Sequence, residues 1–336
     1  MSRHCHGVVT CPSPIAAMTP AKGGMMADAV LVTGMAREWR VAKWRPRRTT
    51  MLAFAMLAPS LLFLALFTYW PVLEVAWQAL HNQRKIGGPQ VYVGLDNFLK
   101  LFADSAFRKA LANNLVYAFG TVVPSLVLAL GFAMALAKSN RVNTLVRALF
   151  FLPVLIPLVA AASIFLFLFL PNVGLLDYHL AKLALSGPNW LGDPDVALYS
   201  IMGLTIWKNA GYYMLFFLAG LQAVPADAYE AAILDGAGPW QRLRYITLPY
   251  LKPTIGFVLV IGLLNVVTQV DHVFVLTKGG PSDSTNLLLF YVYQQAVESY
   301  DAGRAAAGTL VMLALLLAIT ASSLRTLERS FGEREA

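Results

Sequence analysis

Six apolar runs dominate the chain, near residues 51–73, 111–137, 146–170, 197–220, 254–276 and 305–324. About 20 apolar residues are enough to cross a bilayer as a helix, and each run has that length. The fold class expected is therefore an all-α polytopic membrane protein with six transmembrane helices. Composition agrees: of 336 residues, 58% are hydrophobic and 13% charged, against roughly 45–50% and 25% in soluble domains. The net charge of +8 is scattered between the runs and is not gathered into one basic face with interleaved aromatics, so no nucleic-acid partner is expected. Membrane lipid is.

An even number of spans puts both termini on one side, and the positive-inside rule selects the side. With a cytoplasmic N-terminus, the inner segments near the spans, leaving out Arg3 and Lys22 far out in the tail, hold 15 Lys and Arg: Arg37, Arg40, Lys43, Arg45, Arg47, Arg48, Lys138, Arg141, Arg147, Arg242, Arg244, Lys252, Arg325, Arg329 and Arg334. The outer loops hold 7: Arg84, Lys85, Lys100, Arg108, Lys109, Lys182 and Lys278. Both termini are expected in the cytoplasm. The organisation that follows is a disordered basic tail at 1–48, a six-helix domain at 49–328 with an inner loop at 225–253, and a short tail at 329–336. Cys5 and Cys11, with His4 and His6, lie in the first tail at spacings that match no zinc pattern, and no metal site is expected.

The inner segment Pro225–Pro253, PADAYEAAILDGAGPWQRLRYITLPYLKP, is too charged for lipid and too apolar for a solvated linker. Pro225 suits a helix start, Asp227 and Glu230 favour the positive end of the helix dipole, and Gly236 and Gly238 supply a stop. A helix over about 226–235 is expected, with Ala228, Ala231, Ala232, Asp235 and Gly236 forming one face of little bulk. Pro239 can open a second short helix through Trp240, Leu243, Tyr245 and Ile246, ended by Leu248-Pro249 because proline disfavours helix in the residue before it. The result is a helix-turn-helix elbow in need of a partner.

Pro124 falls inside the second run, and Pro153 and Pro157 inside the third. Such prolines free backbone carbonyls that neighbours or water must satisfy. Polar groups at membrane depth are costly and usually face the bundle interior or a watery path. They are Asn113, Asn114, the cluster Trp207-Lys208-Asn209 with Tyr212 and Tyr213, and Asn265, Gln269, Asp271 and His272. On a continuous helix Asn265 and Gln269 would share one face, with His272 next on it. Trp and Asn suit a polyol ligand through stacking and directed hydrogen bonds. Asn113, Trp207, Asn209, Tyr212, Asn265, Gln269 and His272 are thus candidates for a substrate pathway. The competing readings are interhelical hydrogen bonding and, for Lys208, Asp271 and His272, placement near the outer interface. The outer loops carry GLDNF at 94–98, an amphipathic stretch at 98–107, a short helix around 176–185 and TKGGPSDST at 277–285, each of which could be a solvated connection.

There is no GxxxxGK[ST], no GxGxxG after a strand, and no HExxH, CxxC or GxSxG. The chain has no phosphate loop for ATP and is not expected to be an enzyme.

The elbow resembles the EAA loop of ABC-importer permeases, carried by Glu230-Ala231-Ala232, Asp235-Gly236-Ala237, Ile246-Thr247-Leu248-Pro249 and Pro253. GLDNF, FLP at 151–153, FLAGLQAVP at 217–225 and LTKGGPSDST at 276–285 followed by YVYQQA extend the likeness over about 51–325, to the carbohydrate-uptake branch of the maltose and glycerol-3-phosphate type. The resemblance implies the type I importer permease fold (MetI-like). It also implies residence in the bacterial cytoplasmic (inner) membrane and import of a sugar, polyol or glycerol conjugate. The partners implied are a second, different permease, two ATPase subunits and an extracytoplasmic solute-binding protein, with ATP and Mg on the ATPase subunits and no cofactor on this chain. Glu230, Ala231, Ala232, Asp235, Gly236, Ala237, Ile246, Leu248 and Pro249 would couple to an ATPase subunit, and Gly279, Gly280 and Pro281 would meet the binding protein. A secondary transporter should instead show ion-site carboxylates deep in the membrane. Here Glu74 and Asp271 lie near expected outer ends.

Overall fold

A computed structural model describes residues 48–82 and 90–335. The N-terminal segment to residue 47, with Cys5, Cys11 and most of the basic cluster, lies outside the described residues, as do the basic pair Arg84 and Lys85. The chain divides at Leu61 into a first unit, of which the helical residues 48–61 are described, and a second unit, Leu62–Ala336.

The elements in order are helix α1 (Arg48–Leu64), a π turn (Ala65–Tyr69), α2 (Trp70–Ala79), a two-stranded ribbon of β1 (His81–Asn82) and β2 (Val91–Tyr92), α3 (Asp96–Ala103) and α4 (Ser105–Ala135). There follow α5 (Arg141–Leu155), α6 (Leu158–Leu168), α7 (Leu175–Lys182), α8 (Ala197–Gln222), α9 (Ala226–Leu234) and α10 (Pro239–Arg242). A second π turn (Leu243–Thr247), α11 (Leu248–Thr268), α12 (Asp271–Leu276), α13 (Leu288–Tyr293), a third π turn (Gln294–Glu298) and α14 (Ala302–Glu335) complete the chain. Among the described residues, four helical segments are long and apolar enough to cross a membrane: Met51–Ala79, Ser105–Ala135, Pro239–Leu276 and Ala302–Ser323. The pair α5 and α6 makes a fifth if counted as one broken span.

The third expected span is not one straight helix. It is bent by 98° between α5 and α6, because Pro157 cannot donate a backbone hydrogen bond and pushes Ile156 into extended backbone (ψ 127°). The run at 197–220 differs in another way. As α8 it is long enough to span but is not among the apolar helices, since Trp207, Lys208 and Asn209 dilute it.

Burial explains how α8 is accommodated. Fifteen of its residues are buried, Lys208 and Asn209 among them. Its most extensive partner is α4, whose buried face carries Tyr117, Ala118, Val122, Ala129 and Ala133. Small residues let helices approach closely in a membrane, where packing rather than hydrophobic transfer holds them together. Tyr117, Ile201, Leu204, Val266 and Val273 form the centre of the core toward the outer loops, and Met214, Phe217, Leu251 and Val258 the centre toward the elbow.

Helix ends are capped by side chains where the sequence supplies them. The Asp104 carboxylate accepts from the Ala106 N–H at 2.9 Å and starts α4, which places the break in the amphipathic stretch at 104. At the other end of α4, the Arg147 guanidinium donates to the carbonyls of Leu136, Ala137 and Lys138, a cation on a helix C-terminus.

Candidate functional site

The inner elbow is built as expected for its first half. α9 covers Ala226–Leu234, and it ends in a Schellman turn: Gly236 has φ +76°, its N–H bonds the Ile233 carbonyl at 3.1 Å, and the Ala237 N–H bonds the Ala232 carbonyl at 2.8 Å. A side chain added at Gly236 would meet open space, so the backbone conformation, not crowding, requires glycine. Glu230, Ala231, Asp235 and Gly236 are exposed, while Ala232 and Ala237 are half-buried. Larger apolar groups are also bare: Leu234 is 87% exposed, Trp240 69% and Tyr245 71%. A 2.8 Å hydrogen bond between the Tyr229 and Thr247 hydroxyls ties the two halves together.

The second half differs from expectation. The chain does not end its second helix at Leu248-Pro249; α10, the π turn and α11 follow one another as a single helical segment from Pro239 into the bundle. In the π turn the Leu248 N–H bonds back to the Leu243 carbonyl. The wider turn just before Pro249 is where a missing N–H and the ring's bulk are tolerated. The same arrangement, a π turn two residues before a proline, occurs at Ala65–Tyr69 and Pro71. Ile246, Leu248 and Pro249 therefore lie on a rod continuous with a membrane span.

Inside the bundle the candidates separate into two groups. Buried and engaged is His272, 0% exposed: its Nε2 lies 2.8 Å from the Tyr117 hydroxyl, which lies 2.6 Å from that of Thr205. This chain joins α12, α4 and α8. Asn209 is also buried. Partly exposed are Trp207, tilted on Phe165 at 5.2 Å between ring centres; Tyr212, edge-on to Phe216 at 5.1 Å; Asn265, whose amide donates to the Tyr213 hydroxyl at 3.4 Å; and Gln269. Asn265 and Gln269 do not share a helix face with His272. α11 stops at Thr268, Gln269 is extended (φ −94°, ψ 118°), and α12 restarts at Asp271. The β-branched run Val266, Val267 and Thr268 weakens the helix there, and Asp271 suits the start of a new one.

Lys208 is neither at the interface nor free for an anion. It is buried, and its ammonium donates to the carbonyls of Pro153 (3.1 Å), Val154 (3.4 Å) and Ile156. The three donors of an ammonium thus meet three carbonyls at the break before Pro157, of which that of Pro153 also accepts the Ile156 N–H at 3.3 Å. One turn further along α8, a side chain at Gly211 would stand 1.7 Å from the Phe150 carbonyl. Lys208 and Gly211 thus fasten α5 to α8 beside an apolar cavity of about 550 Å³ lined by Phe132, Phe150, Pro153 and Trp207 among others. The sequence signal was present in the prolines of one run and the lone lysine of the next, though only the fold brings them together.

The outer segment 277–286 is not a solvated connection. Thr285 and Asn286 are fully buried; the Thr285 hydroxyl donates to the Gly280 carbonyl at 2.6 Å and lies 2.7 Å from that of Thr277. Gly279 has φ +81° and is buried, and a side chain there would be 2.7 Å from the Phe290 ring. Gly280 and Pro281 are half-buried, and the bare residues of the turn are Lys278, Ser282 and Asp283. Asn113, expected on the substrate path, instead donates to the carbonyls of Asp283 at 2.8 Å and Asn286 at 3.0 Å. Just beyond, the Tyr291 hydroxyl donates to Asp104 at 2.8 Å, and Arg304 reaches the same carboxylate at 3.5 Å. Burial, with the adjoining carboxylate, pushes the Tyr291 phenol well above its ordinary pKa.

These features define a multi-pass membrane subunit with an exposed elbow at 225–253 and a packed turn at 277–286. The family described as "Binding-protein-dependent transport system inner membrane component" matches residues 127–331, and the chain belongs to it. It is 32% identical over 287 residues to the sulfoquinovosyl glycerol transport system permease protein SmoG of Agrobacterium fabrum, covering 85% of this chain and 93% of that one. It is 31% identical over 284 residues to the sn-glycerol-3-phosphate transport system permease protein UgpA of Escherichia coli, covering 84% and 95%. A solved bacterial alginate ABC transporter, in complex with alginate pentasaccharide-bound periplasmic protein, has a chain of the same fold with TM-score 0.73 at 23% identity, covering 84% of this chain and 95% of that one. The chain is a non-catalytic permease subunit of a binding-protein-dependent importer, with the MetI-like fold.

Proposed function

We propose that the chain is one of two different permeases of an ATP-driven importer in a bacterial cytoplasmic membrane. It crosses six times with both termini inside, and ATP and Mg are bound by two partner ATPase subunits. The sixth crossing is α8: at 1.5 Å per residue its 26 residues extend about 39 Å, more than the roughly 30 Å hydrocarbon core, and its polar side chains are turned inward. The domain runs over 49–328, with the coupling loop at 225–253.

The observation that carries this reading is the elbow. α9 and the turn after it present Glu230, Ala231, Ala232, Asp235, Gly236 and Ala237, the exposed Leu234 and Trp240 beside them need a partner, and the rod through Ile246, Leu248 and Pro249 leads into a membrane span. An ATPase subunit docked on α9 would move that span as one body. In the assembled transporter, reconstituted with its partners, Glu230→Lys is expected to abolish ATP-driven uptake while membrane insertion remains intact.

The cargo is a sugar, polyol or glycerol conjugate. SmoG and UgpA, both named for glycerol-bearing solutes, support this class. Trp207, Tyr212, Asn265 and Gln269, partly exposed at membrane depth, are the pathway residues of this chain; His272 and Asn209 stand behind them, closed off in this conformation. Asn265→Ala is expected to alter uptake rate or ligand preference. The turn at Gly279, Gly280 and Pro281 faces the solute-binding protein through its bare rim, Ser282 and Asp283. Thermal-shift screening of the cognate binding protein against glycerol conjugates, polyols and oligosaccharides tests the cargo class.

A further inference from the structure

The outer turn combines unfavourable backbone with good packing. Of six non-glycine residues in left-handed backbone among the described residues, three lie in it: Lys278 (φ 51°), Ser282 (φ 48°) and Asp283 (φ 58°). Gly279 makes a fourth left-handed position at +81°. Such a backbone persists only where its surroundings over-determine it, and these positions cluster at ligand clamps and switches.

Part of the constraint is internal, through Thr285 and Thr277. The rest comes from α4, about 170 residues earlier. The Lys109 ammonium donates to the Ser282 carbonyl at 2.5 Å, and the Asn113 amide donates to the carbonyls of Asp283 and Asn286. Lys109 and Asn113 are four residues apart and stand on one face of the helix. Two of their three acceptors are the carbonyls of the left-handed pair Ser282–Asp283 itself, and the third is that of Asn286. All three are main-chain oxygens, so the Ser282 and Asp283 side chains stay exposed for another molecule.

α4 is also the helix most extensively packed on α8. α8 ends at Gln222, and α9 begins at Ala226. The helix that grips the outer turn is thus packed along the helix that leads to the elbow.

We propose that Lys109 and Asn113 are positioning residues for the response to the solute-binding protein. They hold the Ser282–Asn286 turn in its left-handed form, the form offered to that partner, and they tie it to α4. The proposal rests on the reading that this turn faces the binding protein.

The test uses the whole transporter in lipid nanodiscs, comparing ATPase turnover with and without saturating, ligand-loaded binding protein. Asn113→Leu and Lys109→Met are each expected to lower the stimulated-to-basal ratio at least threefold, and the double variant to bring it near one. Lys109→Arg, which keeps a cationic donor, should retain most of the ratio. A merely structural role would lower yield and both rates together with the ratio unchanged, and an unchanged ratio in an assembled double variant overturns the proposal. If the double variant does not assemble, Lys109→Met, a change at an exposed side chain, decides alone. A separate arm examines the underlying reading by crosslinking Ser282→Cys, in otherwise unaltered permease, to cysteines on the binding protein. No crosslink removes that reading; a crosslink with an unchanged ratio removes the brace alone.

Discussion

The inner elbow and the outer turn are both glycine- and proline-marked connections, yet they are held in opposite ways. The elbow is regular helix, with α9 capped by its own backbone, large apolar side chains bare and its two halves tied by Tyr229 to Thr247. The outer turn is irregular, largely buried, and gripped by side chains of a distant helix. A surface that must dock a partner can rely on local rules for its shape and leave its faces open. A short turn with no repeating hydrogen bonds needs the rest of the fold to define it.

Substitutions can break this contrast, beginning with the largest effect. Between the two regions, Lys208→Met removes three charge-assisted hydrogen bonds and takes the ammonium donor from the half-buried Val154 and Ile156 carbonyls at the Pro157 break. At about 1–3 kcal/mol for a buried orphan, a loss of about 3 kcal/mol is expected in reversible unfolding of the detergent-solubilised protein. Discrimination between anionic and neutral cargo should not change, because the ammonium is not a ligand. Gly279→Ala comes next. Left-handed backbone and a Phe290 ring 2.7 Å from the new atom, itself wedged on Phe274 at 4.8 Å, together cost about 2–4 kcal/mol.

Gly236→Ala is the matched change in the elbow. Its φ is also positive but its surroundings are open, so about 1 kcal/mol is expected. Equal losses at the two glycines would erase the distinction between them. Smallest in the isolated chain is Leu234→Ser, within about 0.5 kcal/mol because the side chain already meets solvent. In the assembled transporter the same change should weaken the ATPase contact, seen as a lower yield of co-purified ATPase subunits.

What could be read from the sequence follows the same division. Apolar run length and the stop at Gly236 are local quantities, and they foretold the membrane class, α9 and its cap. Two local inferences failed because a local rule was overruled. Leu248-Pro249 did not end a helix, since a π turn absorbs the proline. His272 did not follow Asn265 and Gln269 on one helix face, since the helix breaks at Gln269. The remaining features depend on groups far apart in sequence. Nothing near Lys208 shows that its acceptors lie at 153–156, and nothing near Asn113 shows that it grips residues 283 and 286. Asn113 read as a pathway residue because an amide at membrane depth has two uses, binding cargo or holding backbone, and composition cannot choose between them.

The central claim is that the open elbow is the lever through which ATP hydrolysis moves this permease. It is tested most directly by ATP-driven uptake in proteoliposomes carrying the complete transporter with Glu230→Lys. The account predicts that the subunit inserts and folds, with unfolding indistinguishable from the parent because Glu230 is exposed, while uptake falls to background. Uptake at the parental rate would contradict it.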